Sequence, residues 1–275
     1  MSATALRRAS PAELNHHREG SGPPIVLLHG VGHRWQAWRP VIDRLALEFE
    51  LIACDSPGFG GSVPLPDGVG PAIPAYVEAF EEFFARQGLN RPHVAGNSMG
   101  GAIALELARR GSAASATALS PAGFWTPTER RYCQSSLIPL QAIPRAARPA
   151  LLRLARSRAG RRLLFAQLIA RPGRVPDYEA VATLEDLWAA PAFKGAVRAF
   201  DEYQFTAGHE LDDVPVTVAW GNRDRLLIHG RQAPRARRML PRARHVTIDA
   251  GHLPYYDDPG AVAEVIRSTV LACGR

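Results

Sequence analysis

The 275-residue sequence predicts an α/β fold in which a mostly parallel central sheet is flanked by helices and interrupted by an inserted helical segment. Three observations predict it. From residue 23 onward, short apolar runs alternate with longer runs of helical periodicity. That alternation stops between residues 121 and 208, where seven prolines from Pro127 to Pro191 cut the chain into short helical pieces. A hydrophobic content of 46% supplies one sizeable core, and the length leaves room for a smaller domain inserted into it.

Taken in order, strands are predicted at 25–28, 51–54, 93–95, 117–119, 216–220 and 245–248. Each is a short apolar run of the kind buried on both faces of a parallel sheet. Between them, Val77, Phe80, Phe83 and Phe84 recur at helical spacing within 75–87, and Gly88 stops that helix. Ile103 and Leu107 do the same within 99–110, with Gly111 as the stop. Residues 3–6 and 13–16 are read as two lead-in strands. The chain therefore divides into a core of 1–121 and 209–275 and a helical insert of 122–208. Within the insert, residues 130–174 carry eleven arginines and no acidic residue, interleaved with leucines and Phe165. The simplest account is a helix whose apolar side packs on its own domain and whose charged face meets solvent. Arginines facing a pocket, or a membrane surface, remain open.

The net charge of +7 raises the question of nucleic acid, but no zinc-finger or RNA-binding motif accompanies it, so no nucleic-acid partner is expected. Lys194 is the only lysine, and the basicity is a property of arginine usage. Arg7 and Arg8 precede no apolar stretch of the signal-peptide kind, and no segment reaches the ~18 apolar residues of a membrane span. A cytoplasmic protein without stable membrane insertion is expected. Cys54, Cys133 and Cys273 are odd in number and widely spaced, which fits reduced thiols better than a disulfide framework or a metal site.

The strongest local signal is Gly96-Asn97-Ser98-Met99-Gly100-Gly101, which follows the run His93-Val94-Ala95 and opens a helix. A serine on a tight strand-to-helix turn projects its hydroxyl clear of the sheet, and glycines on either side let strand and helix approach without Cβ clashes. The N–H of Met99 then lies at a helix N-terminus, where negative charge is favoured.

With these residues the chain resembles the α/β-hydrolase family, from about Gly20 onward and apart from the insert. Leu28-His29-Gly30-Val31-Gly32 with Trp38 looks like the family's oxyanion loop after its third strand, and Asp55-Ser56-Pro57-Gly58-Phe59-Gly60-Gly61-Ser62 like the structural turn after its fourth. The resemblance implies an oxyanion hole from the N–H groups of Val31 and Met99, with His29 bracing the loop. It also implies the order nucleophile, acid, base. Asp224 in Trp220-Gly221-Asn222-Arg223-Asp224 follows an apolar strand and is the best acid, with Asp249 as rival; Asp212 and Asp213 precede their strand, at the wrong end of a parallel sheet. His252 in Ala250-Gly251-His252-Leu253-Pro254 follows the last strand and is the expected base.

The family's insert is a cap over the nucleophile, so it is expected to supply most of a pocket for a small-molecule substrate. His33, beside the oxyanion loop, and Trp125, in the insert, are the expected substrate contacts. The aromatic content favours an apolar or aromatic ester, cleaved through an acyl-enzyme, and no metal or organic cofactor is implied. A carbon-carbon hydrolase of ring-cleavage products is the runner-up. Ser98-Met99-Gly100-Gly101 and Gly251-His252-Leu253-Pro254 are similar to that subgroup, whereas His33-Arg34-Trp35 and Asp257 depart from it. Serine at position 98 disfavours an aspartate-nucleophile dehalogenase or epoxide hydrolase. A triad-retaining small-molecule receptor is the alternative of a different class. The oligomeric state is not readable.

Overall fold

The computed structural model describes residues 14–274. Its first half runs β1 (His16–Glu19), β2 (Pro24–Leu28), α1 (Arg39–Leu45), β3 (Glu50–Cys54), α2 (Ile73–Arg86), β4 (His93–Asn97), α3 (Met99–Arg109) and β5 (Ser115–Leu119). An insert follows with α4 (Pro127–Gln141), α5 (Arg148–Arg156), α6 (Arg158–Leu164), α7 (Asp177–Ala189) and α8 (Phe193–Ala199). The chain then returns to the sheet with β6 (Val216–Gly221), α9 (His229–Met239), β7 (Arg244–Ile248), α10 (Pro254–Asp257) and α11 (Pro259–Leu271).

All six predicted strands are present, each extended by one or two residues. They form a seven-stranded sheet of order β1-β3-β2-β4-β5-β6-β7, parallel except for β1. The lead-in strand expected at 13–16 lies further on, at His16–Glu19, where it pairs antiparallel with β3 from His16 opposite Cys54 to Glu19 opposite Leu51. Gly20, at φ +87°, turns the chain out of that strand. The expectation at 3–6 falls outside the described residues.

Alternation along each strand feeds two cores. Val26, Leu28, Ile52, Val94 and Val218 point to the face covered by α2, α3 and α9. Ile25, Leu27, Leu51, Ala95 and Ala219 point to the face covered by α1 and α11. In α2 the residues Ile73, Tyr76, Val77, Phe80, Phe83 and Phe84 lie on one side and are all buried. Full burial of each such side chain contributes roughly 1.5–3 kcal/mol. Gly88 and Gly111 stop α2 and α3 as expected, at φ +66° and +76°.

The prolines of the insert mark helix starts more often than breaks. Pro127 is the first residue of α4, Pro149 lies in the first turn of α5, and Pro176 immediately precedes α7. A missing N–H costs nothing in a first turn, where no intrahelical acceptor exists. Pro139, expected as a break, lies inside α4, which ends two residues later at Gln141. Thr126 and Glu129 form a reciprocal capping box at the start of α4.

Strand order reverses direction between β2 and β4, so the loops leaving their carboxyl ends lie side by side. In an open α/β sheet, that switch point is where ligands are held. The close approach there depends on glycine: a Cβ on Gly100 would stand 2.2 Å from Leu28 O, and one on Gly96 would stand 2.0 Å from Gly100 O. Gly100→Ala should therefore lose roughly 1–3 kcal/mol by overpacking. Gly230→Ala in α9 would meet nothing within 4 Å and should gain about 0.5 kcal/mol. Urea denaturation of both variants checks the pair, and a neutral Gly100→Ala would show that α3 does not approach β2 so closely.

Candidate active site

Ser98 links β4 to α3 with φ 56° and ψ −113°, a conformation a side-chain-bearing residue holds only when its surroundings impose it. Three backbone hydrogen bonds impose it. Ser98 N–H donates to Leu119 O at 2.9 Å, and Ser98 O accepts from Ala102 N–H and Ala122 N–H, each at 3.0 Å. Met99 is the first residue of α3, so its N–H belongs to the helix end that has no intrahelical acceptor. Ser98 itself is buried, at 6% exposure.

The loop after β2 runs alongside. His33 N–H donates to Gly30 O at 3.2 Å, closing a turn with Val31 and Gly32 at its centre and Gly32 at φ +82°. A Cβ on Gly30 would lie 3.3 Å from Ser98 Cβ, so the turn passes directly over the serine. His29 fixes the loop: its Nε2 accepts from Ser56 N–H at 2.9 Å, which leaves Nδ1 as the donor to Gly30 O at 2.8 Å. Burial pushes the His29 imidazole below its ordinary value, keeping it neutral in that role. Asp55 braces the neighbouring turn, accepting from Trp35 N–H, Gly61 N–H and the Asn15 amide.

On the far side of Ser98, the loops after β6 and β7 bring Asp224 and His252 together. His252 Nδ1 lies 2.7 Å from Asp224 Oδ2. The other carboxylate oxygen of Asp224 accepts from Leu226 N–H at 2.9 Å and Leu227 N–H at 2.8 Å. Both groups are buried, at 4% exposure for Asp224 and 2% for His252. A carboxylate held by two backbone donors and an imidazole has little freedom left. Asp249, the rival acid, instead faces outward and pairs with Arg171 and with Arg223.

His33 is buried and lies edge-on to Tyr255, with Tyr256 beside it. Burial, reinforced by the neighbouring His29, His252 and Arg34, pushes its imidazole down to about 3. Trp125 is buried against Phe200, and its indole N–H donates to Tyr203 O at 3.1 Å.

Three site features escaped the sequence reading. Asn97, which the motif admits as any residue, donates through Nδ2 to His252 O at 2.9 Å and to Leu119 O at 3.1 Å, and accepts from the Tyr255 hydroxyl. It ties the serine turn to the histidine loop. Asp257 accepts from Gly251 N–H, Ala170 N–H and Arg171 N–H at 2.7–2.8 Å, fastening the insert to the same loop. Asp186 of α7 pairs at 2.8 Å with Arg34, just beyond His33. An amide between a glycine and the serine was the only available hint for Asn97; Asp257 was visible only as a departure from the carbon-carbon hydrolase subgroup, and nothing local marked Asp186.

Residues 25–265 match the model of the alpha/beta hydrolase family. A protein of Mycobacterium tuberculosis named epoxide hydrolase EphH is 31% identical over 199 residues, covering 68% of this chain and 89% of that protein. A 2-hydroxy-6-oxo-2,4-heptadienoate hydrolase of Pseudomonas putida is 35% identical over 105 residues, covering 37% of this chain and 38% of that protein. Among solved structures, a thermophilic esterase from Thermogutta terrifontis superposes with a TM-score of 0.74 at 22% identity, covering 97% of this chain and 96% of that one.

Asp186 offers a test of how the insert is seated. Burial raises its carboxyl from an ordinary 3.8 to about 6, against the opposing pull of Arg34 and with repulsion from Asp55, Glu179 and Glu185. The folded state thus holds this proton more tightly than the unfolded chain does. The associated stability is complete below about pH 4 and lost as pH rises through about 6. Asp186→Asn has no such proton, so wild type should lose ground to it between pH 4 and 6 and run parallel on either side. Denaturation midpoints across pH 3–8 report this, and a pH-independent difference would contradict the buried-carboxyl account.

Proposed function

The chain belongs to the alpha/beta hydrolase family, and on that premise we propose that it is a serine hydrolase of small apolar or aromatic esters, with Ser98 as nucleophile, His252 as base and Asp224 as acid. The observation that carries the reading is the buried His252–Asp224 pair, whose histidine loop Asn97 ties to the serine turn.

With Nδ1 facing a carboxylate, the His252 proton resides there and Nε2 is free to accept the Ser98 proton as the hydroxyl oxygen attacks the ester carbonyl. The N–H groups of Val31 and Met99 face the carbonyl oxygen as it becomes an oxyanion. Each such donor is worth on the order of 3 kcal/mol in the transition state. His252 then protonates the departing alkoxide, and later takes a proton from the water that releases the acid from Ser98. The insert serves as the cap. His33, neutral at working pH, contributes an uncharged ring beside the oxyanion loop, and Trp125 contributes apolar wall, since its indole N–H is already used.

The activity for which the mycobacterial relative is named does not redirect this reading, because carboxylate-nucleophile epoxide opening requires an acid at position 98, where serine stands. A second reading, hydrolysis of a carbon-carbon bond in a ring-cleavage product, is favoured by the 105-residue similarity to the heptadienoate hydrolase. A panel of p-nitrophenyl esters of graded chain length, assayed beside a ring-cleavage dienoate, separates the two.

Ser98→Ala should fold normally and lose about 10⁶-fold in kcat. A fluorophosphonate should label wild type at Ser98 alone; labelling elsewhere, or turnover by the variant, would end the serine-nucleophile reading.

Asp224→Asn should lower kcat by about 10⁴-fold, because an amide lets the imidazole adopt the wrong tautomer. Asp249→Asn should leave kcat within a few-fold of wild type, since its partners are Arg171 and Arg223. An exchange of these two outcomes in steady-state kinetics would move the acid to Asp249.

A further inference from the structure

Six of the eleven arginines between residues 130 and 174 line a single cavity of about 1220 Å³, and Arg223 and Arg225, on either side of Asp224, complete it. Among the described residues, Asp177 is the only acidic one in its wall. Neither Ser98 nor His252 lines it, although its floor includes Ile169 and Ala170, whose backbone lies against Gly251 beside His252. The cavity is thus separate from the nucleophile and lies on the outer side of the acid and base loops.

Arg161 makes this cavity more than a solvated basic surface. It is buried, at 6% exposure, yet it pairs with no carboxylate among the described residues. Its Nη1 donates to Ala155 O at 3.0 Å and Arg156 O at 2.8 Å, and its Nε has no hydrogen-bond partner. A guanidinium taken out of water is costly unless an anion balances it. No carboxylate lies within ion-pair distance of Arg156, Arg158, Arg162 or Arg174 either, among the described residues. Arg171 and Arg223 share the single carboxylate of Asp249. Eight arginines thus line one concave space, Arg161 buried and most of the others exposed at its rim, with far too little negative charge beside them to offset theirs.

We infer that this cavity is a binding site for a compact polyanion carrying two or more phosphate groups, of nucleoside-bisphosphate or nucleoside-diphosphate size. The planar guanidinium matches phosphate oxygens in bidentate pairs, and one monovalent anion would leave most of the cluster unbalanced. The volume is ample for a nucleotide. The buried Arg161, at 6% exposure, is reached by a small ligand that enters the hollow rather than by a flat surface laid across its rim. Because Arg171 belongs to the insert and Arg223 to the core, a ligand bridging them also fastens one to the other.

The full chain is titrated calorimetrically, and its melting followed, with adenosine 3′,5′-bisphosphate, ADP and inorganic pyrophosphate. Inorganic phosphate and sulfate at matched ionic strength serve as comparison. The diphosphates should bind at least tenfold more tightly than phosphate and raise the melting temperature saturably. Arg158→Gln and Arg162→Gln should each weaken binding about tenfold, whereas Arg145→Gln, exposed and outside the cavity, should leave it unchanged. Arg161→Gln also removes contacts to the end of α5, so the two surface variants carry the test if it fails to fold. Equal binding of phosphate and diphosphates, a response that follows ionic strength alone, or insensitivity to Arg158 and Arg162 would overturn the site. So would association with phosphatidylglycerol vesicles that depends on these arginines and that pyrophosphate does not compete away.

Discussion

Ser98 stands at φ 56° and ψ −113°, where a residue with a side chain is strained by roughly 1–3 kcal/mol, and much of the surrounding structure follows from holding it there. The turn requires α3 to start almost in contact with the sheet. Gly96 and Gly100 make that possible, since either Cβ would overlap backbone of α3 or β2. The same close approach brings the loop after β2 over the serine, with Gly30 against Ser98 and His29 pinned between Ser56 and Gly30. A strained residue supported by two loops and a helix presents its hydroxyl at low exposure and in one direction. Strain in the backbone and preorganisation of the site are one arrangement here.

The far wall of the site is held by carboxylates with different tasks. Asp224 spends both oxygens internally, one on His252 and one on two backbone N–H groups. Asp257 never reaches the histidine ring, yet its three backbone donors join the histidine loop to residues 170 and 171 of the insert. Asn97 joins that loop to the serine turn from below. The relative position of the serine turn and the histidine loop is therefore held by Asn97, and that of the loop and the insert by Asp257, two side chains outside the proposed triad. Asp249, three residues before His252, is excluded from the ring because Arg171 and Arg223 hold it outward.

Charge in the insert is distributed by the fold rather than by composition. Some arginines find partners at once, as Arg130 does with Asp201, and Arg148 lies over the Trp188 ring. Others are brought by α5, α6 and the turn at Pro172–Arg174 to the rim of one cavity, where the chain offers them little acid. A run of arginines read along the sequence looks like one solvated face. Its division into paired and unpaired groups exists only once the helices are packed.

The sequence by itself determined the six parallel strands and the two glycine-terminated helices, and it singled out Ser98, Asp224 and His252 as candidates. Those features are local: apolar alternation, helical spacing and a serine between glycines each carry their physical reason within a few residues. Only the tertiary structure shows that Asp224, and not Asp249, meets the His252 imidazole, because both follow a strand and the contact is made across 28 rather than 3 residues of chain. It also moved the first described strand to His16–Glu19, since that register is dictated by the edge of β3 and not by its own pattern. The roles of Asn97, Asp257 and Asp186 were not legible for the same reason. Each acts on a partner at least 86 residues distant, Asn97 on His252, Asp257 on Ala170 and Arg171, Asp186 on Arg34, and side-chain chemistry of that kind has no periodicity to read.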